Sequence, residues 1–399
     1  MLVTGNRIKN RTRPVQKIQT VPGLRRLPSG MAPDSDFVLA TADRVRSAAA
    51  SGSALRIRGG GSKDFYGEAL NGDLLNTAPL NAVVSYEPSE LVVTALAGTP
   101  LAELEALLAA QGQCLPFEPP HFSPHSTVGG MVAAGLSGPA RASAGAVRDF
   151  VLGVKLLNGK GEHLTFGGQV MKNVAGYDVS RLMVGAMGTL GLLTEVSLKV
   201  LPVAPLEATL KFEMTQVEAL EKLNAWGGQP LPLNASCWLD ESGAGTLYLR
   251  LRGALAAVEA ACSKLGGERL PNAQALPDWR LARDQQLPWF KGCGDTQDLW
   301  RLSVPQTTPV LDLPNSPFIE WHGGQRWVHA DPTQGQQLRA MAAKAGGHAT
   351  LFIAACPRKI GATARFDTLK TPLDRIHREL KREFDPSGVF NPQRIHPDW

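Results

Sequence analysis

The sequence predicts an α+β protein with two domains, and three observations carry that reading. Its 399 residues are 43% hydrophobic, enough to bury more than one core. Residues 115–200 set two glycine clusters, Thr127-Val128-Gly129-Gly130 and Gly185-Ala186-Met187-Gly188-Thr189-Leu190-Gly191, among short β-rich apolar runs. Over residues 206–360, after Pro202 and Pro205, the texture changes to separate strand and helix signals, with most of the tryptophans. Glycine at such density costs backbone entropy, so the clusters are expected where backbone turns with positive φ or touches a ligand. A sheet edged by such loops suits a large, flat, phosphate-bearing cofactor.

Taken in order, residues 1–30 carry seven basic side chains, no acid and no hydrophobic periodicity. They read as a disordered arm or as sequence upstream of a start at Met31; a targeting segment is disfavoured because no apolar stretch follows the charges. From Asp34 the residues Phe37, Val38, Ala42, Val45 and Ala49 recur at helical spacing, with Gly52 as the stop. Residues 54–57 read as a strand that runs into Arg58-Gly59-Gly60-Gly61-Ser62-Lys63. This loop is neither a dinucleotide fingerprint nor a Walker loop. Its glycines form either a nest of N–H groups for a phosphate or a flexible turn; the Ser62 hydroxyl and the Lys63 cation favour the nest.

Residues 81–85 and 91–95 are strand-like. A helix follows, with Thr99 as cap, Pro100 in its first turn, Leu101, Leu104, Leu107 and Leu108 on one face, and Gly112 at its end. His121 and His125 stand four apart, but prolines at 119, 120 and 124 forbid the helix that would make them a metal pair. Runs 150–157 and 163–166 make a hairpin through Asn158-Gly159-Lys160-Gly161, which lacks the leading glycine and the hydroxyl residue of a P-loop. Later strands are expected at 206–212, 246–252, 326–330 and 350–354, and helices at 217–226 and 254–265. Residues 373–384 read as an amphipathic helix.

A pI near 9.0 invites a nucleic-acid role. Seven of the 41 basic residues lie in residues 1–30, however, and the remainder is outnumbered by the 36 acids. The body is near neutral and no nucleic-acid partner is expected. Mean hydropathy is −0.09, and no run reaches the roughly 18 apolar residues of a membrane span. The five cysteines are scattered and contain no CxxC pair, so neither an iron–sulfur cluster nor a metal site is expected, and a reducing cytoplasmic compartment fits.

At this level the residues resemble the FAD-binding domain of the vanillyl-alcohol oxidase and p-cresol methylhydroxylase (PCMH) superfamily. The loop from Arg58 to Lys63 is similar to its pyrophosphate loop, and Ser126-Thr127-Val128-Gly129-Gly130 to its second flavin-contacting segment. Gly176-Tyr177-Asp178 and the 185–191 cluster resemble its GYDL and GSEGTLG boxes, with Met187 where a glutamate is usual. Residues 384–395 resemble the FDPxGxxNPxR ending of the D-lactate and glycolate dehydrogenase branch, which returns to the flavin domain. Within that branch the phrases LPFEPPHF, GGMVAAGLSGP, VRDFVLG and GGQRW look like the E subunits of bacterial glycolate oxidases.

After the basic, disordered extension read over 1–30, the resemblance implies a two-subdomain PCMH-type FAD domain over 31–205, an α+β cap over 206–360 and a tail over 361–399 that packs on the FAD domain. It implies non-covalent FAD, since Ser62 stands beside the glycines where some relatives place a flavin-linking histidine. The implied contacts are Arg58, Gly59, Gly60, Gly61, Ser62, Lys63, Ser126, Thr127, Gly129, Gly130, Gly138, Gly145 and Val196. The HxGDGNxH metal motif of the catalytic glycolate and D-lactate subunits is absent; His322-Gly323-Gly324 only echoes it. The expected role is therefore that of an FAD-bearing subunit of a glycolate-oxidising complex. Its partners would be a catalytic flavoprotein subunit and an iron–sulfur subunit, with membrane contact at the inner face only through them. The alternatives are a self-sufficient 2-hydroxy-acid dehydrogenase and a scaffold with an empty flavin site. No catalytic base is identified: Arg250, Arg252, Arg301 and Arg326 of the cap are not brought together with a histidine by any spacing.

Overall fold

The computed structural model describes Arg25 and residues 35–168, 178–240, 243, 245–291, 296–355 and 363–398. The rest of residues 1–30 and the Gly176-Tyr177 pair lie outside the described residues. Arg25 does meet the body, its carbonyl accepting from the Val83 amide at 2.9 Å.

Five strands build the first sheet, all pairs antiparallel, in the order Val83–Glu87, Val92–Leu96, Leu192–Lys199, Val151–Leu157, His163–Gly167. Val92–Leu96 and Leu192–Lys199 are buried almost throughout, which is why they read as apolar runs rather than as alternation. The few polar groups inside pair across the ladder: Thr94 and Ser197 hydroxyls lie 2.9 Å apart, and Lys155 Nζ donates to Glu195 at 3.0 Å. The expected hairpin is present, with Gly161 at φ +74° and the Asn158 side chain accepting from Lys160 and Glu162.

Helix Leu101–Ala109 lays its four leucines into this core. Thr99 does not cap it. Its hydroxyl instead bridges both backbone groups of Ala82, tying the helix entry to the neighbouring chain segment. A second departure concerns the first glycine cluster, expected as a loop. Thr127 is the N-cap of helix Val128–Ala134, accepting from the Gly130 amide at 3.2 Å, and both glycines are helical. Gly129 is required by approach rather than by φ: a Cβ there would sit 2.6 Å from that of Ala97.

Leu55–Arg58 pairs in parallel with Asp73–Asn76, and helix Ser35–Ser51 packs on the pair. Eight strands from Leu206 to Ile353 form a second, wholly antiparallel sheet with helices Gln216–Gly227, Leu255–Leu265, Asn272–Arg283 and Gly335–Lys344. Strands Leu233–Leu239 and Asp298–Ser303 and helix Asn272–Arg283 go beyond the expected set. Their polar residues break the periodic signal yet are satisfied by tertiary partners, as when Asp298 accepts from the Ala355 amide. Pro277 sits inside the third of these elements.

The two sheets meet at a buried ion cluster. Glu118 accepts from Arg250 at 2.7 Å and from Arg252 at 3.1 Å, and Arg252 also pairs with Glu207. Beside it, Trp321 Nε1 donates to the Gly138 carbonyl at 3.0 Å. The chain then closes on itself. From helix Leu373–Phe384, Lys381 Nζ reaches Thr189 O, Asp385 and Phe390 O, and Phe390 bridges to Leu55.

Candidate functional site: a glycine-walled cleft

A cleft opens between the 58–63 loop, helix Val128–Ala134 and the 185–191 loop, in two adjoining lobes of about 530 and 510 Å³. Gly59, Gly130, Met187 and Asn391 wall both lobes. The 58–63 loop has almost no room to vary. A Cβ on Gly60 would lie 1.5 Å from the His125 carbonyl oxygen, and one on Gly59 2.5 Å from Thr127 Oγ1. Only Gly61 of the three needs positive φ, at +71°. Gly130 differs: its Cβ would meet only Thr127 Oγ1, at 3.1 Å.

The amides of Gly59, Gly60, Gly61, Ser62 and Lys63 donate to no group among the described residues. Five consecutive unpaired N–H groups are unusual for partly buried backbone and mark a concavity of positive polarity. Lys63 deepens it. Its side chain is buried, its Nζ donates to Ser126 at 2.8 Å and to Ser62 at 3.2 Å, and it lies 5.5 Å over the Phe122 ring. Burial lowers its pKa to about 8, against a weaker raising pull from Asp284. A desolvated ammonium held on neutral hydroxyls is poised to meet an anion.

The far wall is the tail. Asn391 accepts from the Ile57 amide at 2.8 Å and donates to the Met187 carbonyl at 2.7 Å, so one side chain joins the strand that leads into the 58–63 loop to the 185–191 loop. Arg394 is buried and donates to the carbonyls of Lys63, Asp64, Tyr66 and Glu68, which fixes the far end of the 58–63 loop. Neither residue was among the expected contacts; the NPxR ending was the available signal. Met187 has φ +50° and fills space beside Gly67 rather than offering a carboxylate.

The expected contact residues therefore divide. Arg58, Gly59–Lys63, Thr127, Gly129 and Gly130 line the cleft, and Ser126 positions Lys63 from behind. Arg58 turns its guanidinium back to Asp64 at 2.7 Å. Gly138, Gly145 and Val196 do not line it. Gly138 packs under Trp321 and the Glu118 carbonyl, Gly145 ends helix Arg141–Ala144 at φ +105°, and Val196 is buried in the sheet between Val154 and Ala95. His322 is engaged by Ser143 and Ser236 at 3.0 Å each, and burial lowers its pKa to about 4.

A family model described as an FAD binding domain matches residues 39–167, a span that includes the 58–63 loop and helix Val128–Ala134. Across 368 residues the chain is 44% identical to glycolate oxidase subunit GlcE of Escherichia coli (strain K12), covering 92% of this chain and all of that one. The chain belongs to the GlcE family. It is an FAD-binding flavoprotein of the oxidoreductase class. Glycolate oxidase subunit GlcD of Bacillus subtilis (strain 168) is 30% identical over 131 residues, 33% of this GlcE-family chain and 28% of that one. Alkyldihydroxyacetonephosphate synthase superposes with a TM-score of 0.60 at 16% identity, over 89% of this chain and 75% of that one, which establishes the shared fold. Among the described residues no helix is long and apolar enough to cross a membrane.

Proposed function

We propose that this chain is the FAD-bearing subunit of a glycolate-oxidising complex, with the glycine-walled cleft as its non-covalent cofactor site. The observation that carries the reading is the run of five unpaired amides over Gly59–Lys63, ending at a buried ammonium. The residues fit FAD: two phosphates match those amides and Lys63, and Gly130 leaves the wall bare for close approach, while Gly59 and Gly129 pack tightly on Thr127 and Ala97. Ser126 and Ser62 orient the Lys63 donor, while Asn391 and Arg394 hold the loops at fixed spacing.

When bound, FAD supplies a two-electron acceptor for the hydride of a 2-hydroxy acid. The residues Gly138, Gly145 and Val196 are kept as structural supports of the site, not as contacts. Spans 31–205, 206–360 and 361–399 are proposed as FAD domain, cap and returning tail. The five cysteines contain no CxxC pair and the sequence has no nicotinamide fingerprint, so electrons are proposed to leave through an iron–sulfur subunit, beside a catalytic flavoprotein subunit. Membrane contact would arise through that assembly. The test is co-expression with and without those neighbours, assaying glycolate-dependent dye reduction. Activity should require the neighbours; robust turnover by the isolated chain would favour the self-sufficient dehydrogenase.

A further inference from the structure

A second, larger cavity of about 1850 Å³ lies between the eight-stranded sheet and the tail. It adjoins the cofactor cleft, since Met187 and Ala134 wall both. On the sheet side Arg301 stands opposite Thr350, and Ser303 opposite His348, so the side chains of Arg301, Thr350 and His348 rise from one face into this cavity. The arginines around it and along the seam have very different partners. Arg250 and Arg252 are neutralised by Glu118 and Glu207, and Arg283 by Asp284. Arg326 donates to the carbonyls of Thr308 and Pro309, Arg339 to those of Ala364 and Phe366, and Arg394 to the loop.

Arg301 has no such engagement. It donates to one neutral group, the Tyr66 hydroxyl at 3.1 Å, and lies 5.7 Å over both the Tyr66 and Phe352 rings. Among the described residues it forms no ion pair. The Glu320 carboxyl feels its charge but is already engaged by Trp327 and Gln325. A half-buried guanidinium, fixed by aromatic faces and left without an anion, is costly unless a ligand supplies one. Its planar fork matches a carboxylate.

We propose that Arg301 binds the carboxylate of a small 2-hydroxy or 2-oxo acid in this cavity, with Thr350 and His348 flanking it. The inference deepens the proposed function and rests on it: glycolate and its product glyoxylate share that carboxylate. The FAD-loaded chain would be titrated with glycolate, glyoxylate and, as an uncharged control, ethylene glycol, followed by calorimetry and by the flavin spectrum. Either acid should bind, and ethylene glycol should not. Which of the two binds more tightly distinguishes a substrate from a product site. Arg301→Met should weaken binding at least about tenfold, the loss of one charge-assisted contact, and Arg301→Lys should retain part of it. His348→Gln should weaken it by about threefold or less. No binding of either acid at about 10 mM, above the roughly 1 mM upper end of common KM values, would overturn the proposal, as would unchanged binding by Arg301→Met. If Arg301→Met fails to fold, Arg301→Lys decides: weakened binding with flavin content retained supports the proposal, and full wild-type affinity overturns it. Flavin content is measured separately, so a colourless wild-type chain would refute the cofactor reading rather than this one.

Discussion

The glycine-walled cleft and the seam between the two sheets both concentrate charge in buried places, but they balance it differently. At the seam, Glu118 faces Arg250 and Arg252, and Arg252 also holds Glu207, so each charge has its counter-charge in the protein. In the cleft, Lys63 donates to hydroxyls and lies over a ring, with only a weaker pull from Asp284, beside five unpaired amides. Burial would push the Glu118 carboxyl up, yet Arg250 and Arg252 hold it below the usual carboxylate range. Burial pulls Lys63 down and no strong partner restores it. The lesson is that internally neutralised charge holds the structure together, while charge left unbalanced marks where a ligand belongs.

The sharpest way to break this comparison is to separate cofactor loss from loss of fold. Gly130→Val sets a side chain in the cleft where only Thr127 Oγ1 is near. It should lower FAD affinity by two orders of magnitude or more, with a thermal midpoint close to that of the FAD-free wild type. Gly60→Val should instead damage folding itself, because the His125 carbonyl occupies the Cβ position. Equal flavin content in Gly130→Val and wild type would break the cleft assignment.

Next in size is the seam. Glu118→Gln leaves Arg250 buried without its carboxylate and should cost about 3 kcal/mol in denaturant unfolding, with little effect on flavin content at fixed folded fraction. The pH dependence follows in sign. The folded pKa of Glu118 is depressed, so its contribution is present above the unfolded carboxylate pKa near 4.3 and is lost as pH falls through the folded value. The wild type should lose more stability across that acid window than Glu118→Gln. Parallel curves for the two proteins would refute it.

A subtler test uses Lys63. A bound diphosphate favours its protonated form, so FAD affinity should fall as pH rises above about 8, with a limiting slope of about tenfold per pH unit. Lys63→Met should weaken FAD by about 1.5–3 kcal/mol and abolish that slope. A flat profile for the wild type would show that Lys63 does not face the phosphates. The smallest effect belongs to the exposed pair of Arg269 and Glu259, where Arg269→Ala should leave both the thermal midpoint and the flavin content unchanged within error.

Backbone-made features were the legible ones. The glycine loops, the Asn158–Gly161 turn and the leucine face at 101–108 each leave a local signature in residue type or spacing. The seam left none, because Glu118 lies 132 residues from Arg250, outside the eight-stranded sheet that carries Arg250, and meets it only by tertiary docking. Arg301 and His348 show the same limit, since strand register alone sets them on one face. Thr99 departs from its expected cap for a related reason: its hydroxyl serves Ala82, a tertiary partner invisible to capping rules. Glycine density over 127–130 signals closeness of approach but not the conformation that achieves it, so a helix stands where a loop is expected.

The central claim, that the bare-walled cleft holds FAD without a covalent bond, is tested most directly by acid precipitation of the purified chain. Wild type and Gly130→Val would be prepared side by side and the flavin in supernatant and pellet quantified. About one FAD per wild-type chain should be released to the supernatant, and Gly130→Val should be a colourless chain that remains folded. Flavin retained in the pellet, or a folded wild type with none, would contradict it.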